Sequence, residues 1–214
     1  MKKRYNSIQR LFTVFIASML LSFCPAGESD HERPGGAVLV KSSNGIAMYE
    51  RWIHIPGGQE AREVLLQFSV NATSEDVFQL IRDVEKTPSW NRSIKTCREL
   101  DVFPREWSVY IRYGIPWPFN DQDCILKHQL VSKTSKGFLI EYSSSKHPEM
   151  PKYKGVERME QVLGKWEVSE KGSKTFITYT VATKPSGVPQ WVTDPFVRDA
   201  FISSMKKMVR LLEN

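Results

Sequence analysis

From Val188 to Asn214 the chain reads Val-Pro-Gln-Trp-Val-Thr-Asp-Pro-Phe, then runs without Gly or Pro through Val197, Phe201, Met205, Met208, Val209 and Leu212. Intervals of three, four and seven are the period of a helix with one apolar face. Nearly everything before it reads as strand, with one other convincing helix. An amphipathic helix that arrives after all the strands can hide its face only against the sheet they form. The pattern predicts an α+β fold in which a curved sheet wraps this helix, and the space between sheet and helix is the expected functional site.

The strands are legible from turns and alternation. Asn44-Gly45 supplies the positive φ angles of a two-residue hairpin turn between residues 38–41 and 46–55. Pro56-Gly57-Gly58 makes another turn before a third strand over 62–71. Thr73, Glu75 and Asp76 suit the start of a helix whose apolar face is Val77, Leu80, Ile81 and Val84, ending near Lys86-Thr87-Pro88. Further strands are expected over 94–102, 106–113, 123–132, 138–145, 156–168 and 175–183. Trp107, Val109, Ile111 and Tyr113 alternate with Ser108, Tyr110 and Arg112, and Cys124, Leu126, His128 and Leu130 with Lys127 and Gln129. Period two with one polar face means an antiparallel sheet with one greasy side and one wet side.

The N-terminus is set apart by composition. Lys2, Lys3, Arg4 and Arg10 precede an uncharged apolar run over residues 11–23, too short to span a bilayer and shaped like an export signal. Residues 1–26 are expected to be a signal peptide, 27–36 a polar tether and 37–214 the domain, in an exported protein, periplasmic or secreted. Cys24-Pro25-Ala26 offers small residues for simple cleavage. Leu21-Ser22-Phe23-Cys24 resembles a lipobox that would lipidate Cys24, although Phe23 is bulkier than that pattern expects. Without the four n-region cations, 30 − 4 = 26 basic residues face 24 acidic ones, a net +2. Near-balance argues against a nucleic-acid partner despite the high pI. Cys97 and Cys124 are read as separate buried thiols, because the strand over 106–113 is expected to lie between theirs. Neither has the spaced partners of a metal site.

Reactive constellations are absent from the sequence. It holds no Gly-x-Ser-x-Gly, no His-Glu-x-x-His and no Gly-rich phosphate loop. Glu157 and Glu160, three apart on one expected strand, would point to opposite faces and could not act as a pair. Asn71-Ala72-Thr73 and Asn91-Arg92-Ser93 match glycosylation acceptors, a pattern common by chance.

Three stretches together resemble the START lipid-transfer domain of the helix-grip superfamily. They are Ser74-Glu75-Asp76-Val77-Phe78 with Asp83, Pro88 and Trp90; Pro116-Trp117-Pro118-Phe119-Asn120-Asp121-Gln122-Asp123; and Lys154-Gly155-Val156-Glu157-Arg158, Gly164-Lys165-Trp166 and Pro185 through Trp191. The resemblance covers residues 36–213. It implies a seven- to nine-stranded antiparallel sheet gripping the C-terminal helix over an apolar cavity, and binding or transfer of a lipid, sterol or similar hydrophobic molecule without catalysis or cofactor. One departure stands out. The family's Arg-Asp pair is here Gln122-Asp123, so a buried Asp123 needs another cation, for which Arg112 and Arg158 are candidates.

The expected cavity lining comprises Trp90, Val109, Ile111, Tyr113, Trp117, Leu126, His128, Arg158, Gln161, Trp191, Phe201 and Met205. Aromatic rings give contact area at low entropy cost, and Met adapts to irregular shapes. His128, Arg158 and Gln161 are candidate polar anchors; the competing reading for each is a hydrogen-bonded core group. Ligand exchange is expected at the last helix or the loop over 114–120, with transient membrane contact, and the protein is expected to be a monomer. A second reading is a cyclase or aromatase acting on a polyketide-like substrate, with His128 and Asp123 as its acid/base candidates. A third is an interaction module with a solid core.

Overall fold

The computed structural model describes residues 36–117, 119–184 and 190–214, the side chains of 190–193 excepted. The expected signal peptide and most of the tether, including Cys24, lie outside the described residues. These begin with β1 (Val38–Ser43) and β2 (Ile46–Ile55), joined by Asn44 and Gly45 at φ 53° and 74°. That is the left-handed turn that Asn-Gly accommodates best. β3 (Gln59–Val70) follows, then α1 (Ser74–Arg82). Thr73 and Asp76 close α1 as a reciprocal capping box, with the Asp76 amide donating to Thr73 Oγ1 at 3.1 Å and the Thr73 amide to Asp76 Oδ2 at 3.0 Å.

The first helix ends earlier than expected, at an extended Asp83. Pro88, read as a stop signal, instead sits in the first turn of a short α2 (Thr87–Trp90), where its missing N–H has no helical partner to lose. β4 (Ile94–Val102), β5 (Glu106–Tyr113), β6 (Asp121–Thr134) and β7 (Gly137–Ser144) then run as a meander. After them the expected single strand over 156–168 is two, β8 (Val156–Arg158) and β9 (Val162–Lys171), broken at Met159-Glu160-Gln161. Glu157 and Glu160 therefore do not share a strand. β10 (Lys174–Thr183) and α3 (Gln190–Glu213) complete the chain.

Among the described residues the strands form one sheet in the order β1-β2-β3-β10-β9-β7-β6-β5-β4, with β8 added beside β6. All pairings are antiparallel except β6 with β8, which is parallel and sets Asp123 opposite Arg158. β10 between β3 and β9 joins the N-terminal hairpin to the rest. Ile111 pairs with Cys97 on one side and Cys124 on the other, so β5 separates the two thiols, and both are free.

The core fills the concave side. Phe68, Leu66, Val109, Ile140 and Ile177 from the sheet meet Ile202, Met205 and Met208 from α3, all buried. Each such side chain contributes about 1.5–3 kcal/mol by leaving water. Close approach also fixes Gly164. A Cβ there would run into the ring and hydroxyl of Tyr142, its partner across β7 and β9. The convex side is not uniformly wet. Tyr110, Ile125 and Met150 form a small separate cluster where the segment between β7 and β8 folds over it.

Candidate functional site

The two halves of α3 are anchored by different chemistry. Its C-terminal half is held by Ile202, Met205 and Met208, packed to 4% exposure or less. Along its N-terminal half Phe196 is 65% exposed, and the anchors are charged. Arg198 donates to both carboxylate oxygens of Glu50 on β2, at 2.9 Å each, and reaches Asp194 one turn earlier at 3.2 Å. Arg62 on β3 bonds Asp194 and lies 3.7 Å from Glu50. Two cations and two anions thus pin the front of the helix to the sheet, and all four are less than one-third exposed.

A cleft of about 1760 Å³ opens beside this ionic half. Its volume exceeds the roughly 300–1,000 Å³ of an ordinary small-molecule pocket. Val64 of β3 and Val181 of β10 supply sheet-side apolar surface, and Val197, Ala200 and Phe201 the helix side. Ile115, Pro116, Trp117 and Phe119 enter from the β5–β6 segment, Met150 and Pro151 from the β7–β8 segment, and Met159 and Gln161 from the break before β9. Gln161 Oε1 is buried with no hydrogen-bond partner. It is an acceptor on a cleft residue, left open for a donor.

Four residues of the expected lining border this cleft: Trp117, Arg158, Gln161 and Phe201. Seven others lie elsewhere. Trp90, Val109, Ile111, Leu126 and Met205 belong to the packed core, Tyr113 packs partly buried against it, and His128 is buried against the core residue Trp107. The reason is that the strand residues pack into one cluster with Val77 and Ile81 of α1, Trp90 of α2 and Ile202, Met205 and Met208 of α3, so protein side chains fill that part of the concavity. The side chain of Trp191 is outside the described residues. Reading one greasy face from alternation does not separate the part of it that meets a helix from the part that meets a cleft. Val64, Val181, Phe196 and Val197 are lining residues that the sequence reading passed over; the Met159–Gln161 strand break could have been suspected only from its lack of clear alternation.

The candidate polar groups resolve individually. His128 stacks on Trp107 with ring centroids 5.0 Å apart and lies 5.3 Å from Tyr142. Its Nδ1 finds no partner, and burial lowers its pKa to about 4, so the ring is neutral at pH 7. Asp123 is 1% exposed and takes its charge partner from Arg158. The guanidinium donates through Nε at 2.6 Å and Nη2 at 3.0 Å, and also reaches the carbonyls of Met150 and Pro151. Tyr110 donates to the same carboxylate at 3.1 Å. Arg112, the other candidate, pairs with Asp121 instead. The β6–β8 bridge thus restores from a different strand the cation that Gln122 cannot supply.

Burial pushes the Cys97 thiol up to about 11 and that of Cys124 to about 12, which keeps both protonated. Tyr179 rises to about 12 for the same reason, and its hydroxyl lies 3.1 Å from that of Tyr142, which donates to the Thr180 carbonyl at 3.0 Å. None of these groups is poised as a nucleophile or base near neutral pH. Among the described residues no cluster of three or more His, Cys, Asp or Glu could hold a metal, and no helix is long and apolar enough to cross a membrane.

Residues 62–214 match the sequence model of the family described as polyketide cyclase/dehydrase and lipid transport. The uncharacterized protein PA1579 of Pseudomonas aeruginosa is 27% identical over 173 residues, 78% of this chain and 82% of that protein. Among solved structures, the STAR-related lipid transfer protein fragment from Xanthomonas axonopodis superposes with a TM-score of 0.70 at 22% identity, covering 83% of this chain and 98% of that one. The Zhui aromatase/cyclase of a Streptomyces strain superposes with a TM-score of 0.53 at 11% identity, over 71% of this chain and 93% of its own. At these identities the superpositions show a shared fold: a large curved antiparallel sheet around a C-terminal helix, the helix grip of START domains.

Proposed function

Because the chain belongs to the polyketide cyclase/dehydrase and lipid transport family, we propose that it is a START-like carrier that holds a hydrophobic small molecule of the lipid or sterol class in the cleft beside α3. The observation that carries this reading is the cleft itself, large and walled by Val64, Val181, Val197 and Phe201. Burial of each methylene contributes about 0.8 kcal/mol, so around ten buried carbons supply about 8 kcal/mol against an association cost of roughly 4–15 kcal/mol, and a longer chain supplies proportionately more. No charged clamp is needed for that. Gln161 Oε1 gives a ligand hydroxyl one place to donate. In this reading residues 1–26 direct export, with Cys24 the site of attachment if the lipobox-like pattern is used. Native mass spectrometry of protein purified from its own host tests the carrier role. A co-purifying lipid or sterol supports it; protein that stays empty and takes up no added lipid overturns it.

A cyclase-like enzyme is the second reading, favoured by the family's description and by the Streptomyces superposition. It requires acid/base groups converging on the cleft. His128 and Asp123, the candidates read from sequence, are respectively buried between Trp107 and Tyr142 and bound to Arg158. Turnover of a polyketide-like substrate that is lost in His128→Ala or Asp123→Asn, in protein that remains folded, would favour the enzyme over the carrier.

A further inference from the structure

A second pocket, of about 620 Å³, lies at the front of α3. It meets the helix at Asp194 and Arg198, whereas the large cleft meets it at Val197, Ala200 and Phe201, and Arg62 of β3 borders both. Its volume falls within the roughly 300–1,000 Å³ of small-molecule sites. Val38 and Val40 of β1 and Trp52 of β2 supply apolar wall, and Trp52 is 51% exposed. A lone exposed Trp is ordinary on a surface. This one stands beside guanidinium groups whose hydrogen bonding is lopsided. Each oxygen of Glu50 and Asp194 already accepts from an arginine: both Glu50 oxygens and Asp194 Oδ2 from Arg198, and Asp194 Oδ1 from Arg62. The donors are not used up in return. Among the described residues Arg198 Nη1 and Arg62 Nε make no hydrogen bond. Arg51 also lines the pocket, while its carboxylate partner Glu63 does not, so the wall carries the cations Arg51, Arg62 and Arg198 against the acids Glu50 and Asp194.

We propose that this pocket is a second ligand site, for a small carboxylate with an apolar or aromatic body. The carboxylate takes the spare N–H groups of Arg198 and Arg62, and the body covers Trp52, Val38 and Val40. Charge-assisted bonds to a guanidinium are roughly twice as strong as neutral ones, and an indole offers a rigid apolar face beside them. Glu50 and Asp194 are already matched, so the surplus cation sets the sign of the ligand. A molecule held this way bonds α3 and the sheet at once and acts as a removable clamp on the helix front. A neutral molecule of the same shape would cover Trp52 and leave the guanidinium donors as they are; an inorganic anion would do the reverse. The inference goes beyond the carrier reading and does not rest on it, because the site lies outside the large cleft.

The test uses the full chain with phenylpropanoate as the probe, and with phenylpropanol and sodium chloride at equal ionic strength as controls. Phenylpropanoate is expected to raise the melting temperature saturably and to change the emission component that is missing from Trp52→Phe, while the alcohol and the chloride do neither. Its affinity is expected to fall about tenfold or more in Trp52→Ala, and by a comparable factor in Arg198→Gln. Trp52 is exposed enough that its truncation leaves the fold intact, so the test does not depend on the stability of the arginine variant. Val181→Asp, which alters the large cleft, should bind the probe as wild type does. Equal affinity for the alcohol and the carboxylate, or a Trp52→Ala that binds the probe unchanged, overturns the proposal. So does binding lost in Val181→Asp and kept in Trp52→Ala, which would move the probe into the cleft. Wild type that shows no saturable binding at millimolar probe overturns it as well.

Discussion

Arg198 of α3 grips Glu50 of β2 through two parallel hydrogen bonds of 2.9 Å, and this fork is the centre of the ionic group that pins the front half of the closing helix. Glu50 is 11% exposed at its side chain and Arg198 29%, between the weak exposed pair and the strongly coupled buried one. Arg198→Ala leaves Glu50 beside Arg62 alone. The expected loss of stability is about 1–2 kcal/mol by urea denaturation, shrinking in high salt. A salt-independent loss would mean that the helix front is held by packing.

Arg158 and Asp123 form the more deeply buried pair, and their coupling is expected to be larger. Arg158→Leu strands a carboxylate that is 1% exposed, at a cost of about 3–5 kcal/mol. Arg158→Lys keeps the charge but loses the fork and the carbonyl contacts, so it should fall between. Asp123→Asn/Arg158→Leu should recover part of the loss, and additive single-variant effects would disprove the coupling. Limited proteolysis offers a second readout, because Arg158 also ties down Met150 and Pro151.

These two ionic sites mark the boundary of what sequence alone conveys. Periodicity places α3 after the sheet, Asn44-Gly45 places a hairpin, and the strands over 94–102 and 106–113 fall where the alternation sets them. Such features are local, each visible within a window of a few residues. Arg198 with Glu50 is separated by 148 positions and Arg158 with Asp123 by 35, and no periodic pattern records which partner a charge will meet. The cleft is less legible still. Leu126 reads as an inward apolar residue expected in the lining, yet it meets the core, while Val181, which no expectation singled out, borders the cleft. That difference depends on how far side chains from the three helices fill the concavity.

His128 should make the protein acid-sensitive well above the carboxylate range. Its folded pKa of about 4 lies below the ordinary value of 6.5, because burial disfavours the charged ring. At pH 7 both folded and unfolded chains carry it neutral, and the full stability is present. As pH falls below 6.5 the unfolded chain binds the proton first, so stability drops until the folded ring also protonates near pH 4. The total is of the order of 3 kcal/mol. Asp121, lowered to about 2 by Lys95 and then Arg112, contributes a loss only below pH 4. Denaturation at pH 7, 5.5 and 4 should show the drop, and His128→Phe should flatten it; an unchanged slope would place the sensitivity elsewhere.

Gly164→Ala should distort the sheet at its tightest side-chain crossing. The added methyl meets the Tyr142 ring and the Thr180 carbonyl that Tyr142 bonds at 3.0 Å. Overpacking of this kind costs about 1–3 kcal/mol. Truncating the ring removes the main clash, so Gly164→Ala should cost less in a Tyr142→Ala background than in wild type. Equal costs in both backgrounds would show that the strand backbone, not Tyr142, demands the glycine.

The cleft and the core predict opposite outcomes for the same chemical change. Leu126 is 5% exposed in the packed core, so Leu126→Asp should unfold the protein before any uptake can be measured. Val181 is only partly buried and borders the cleft, where water can reach an introduced carboxylate. Val181→Asp is therefore expected to keep the fold, with a modest loss of stability, while cutting uptake of an added lipid at least about tenfold by placing a charge against the acyl chain. Far-ultraviolet circular dichroism and native mass spectrometry on the same sample separate the two effects. A folded Val181→Asp that loads lipid as well as wild type would exclude the cleft between β10 and α3 as the binding site.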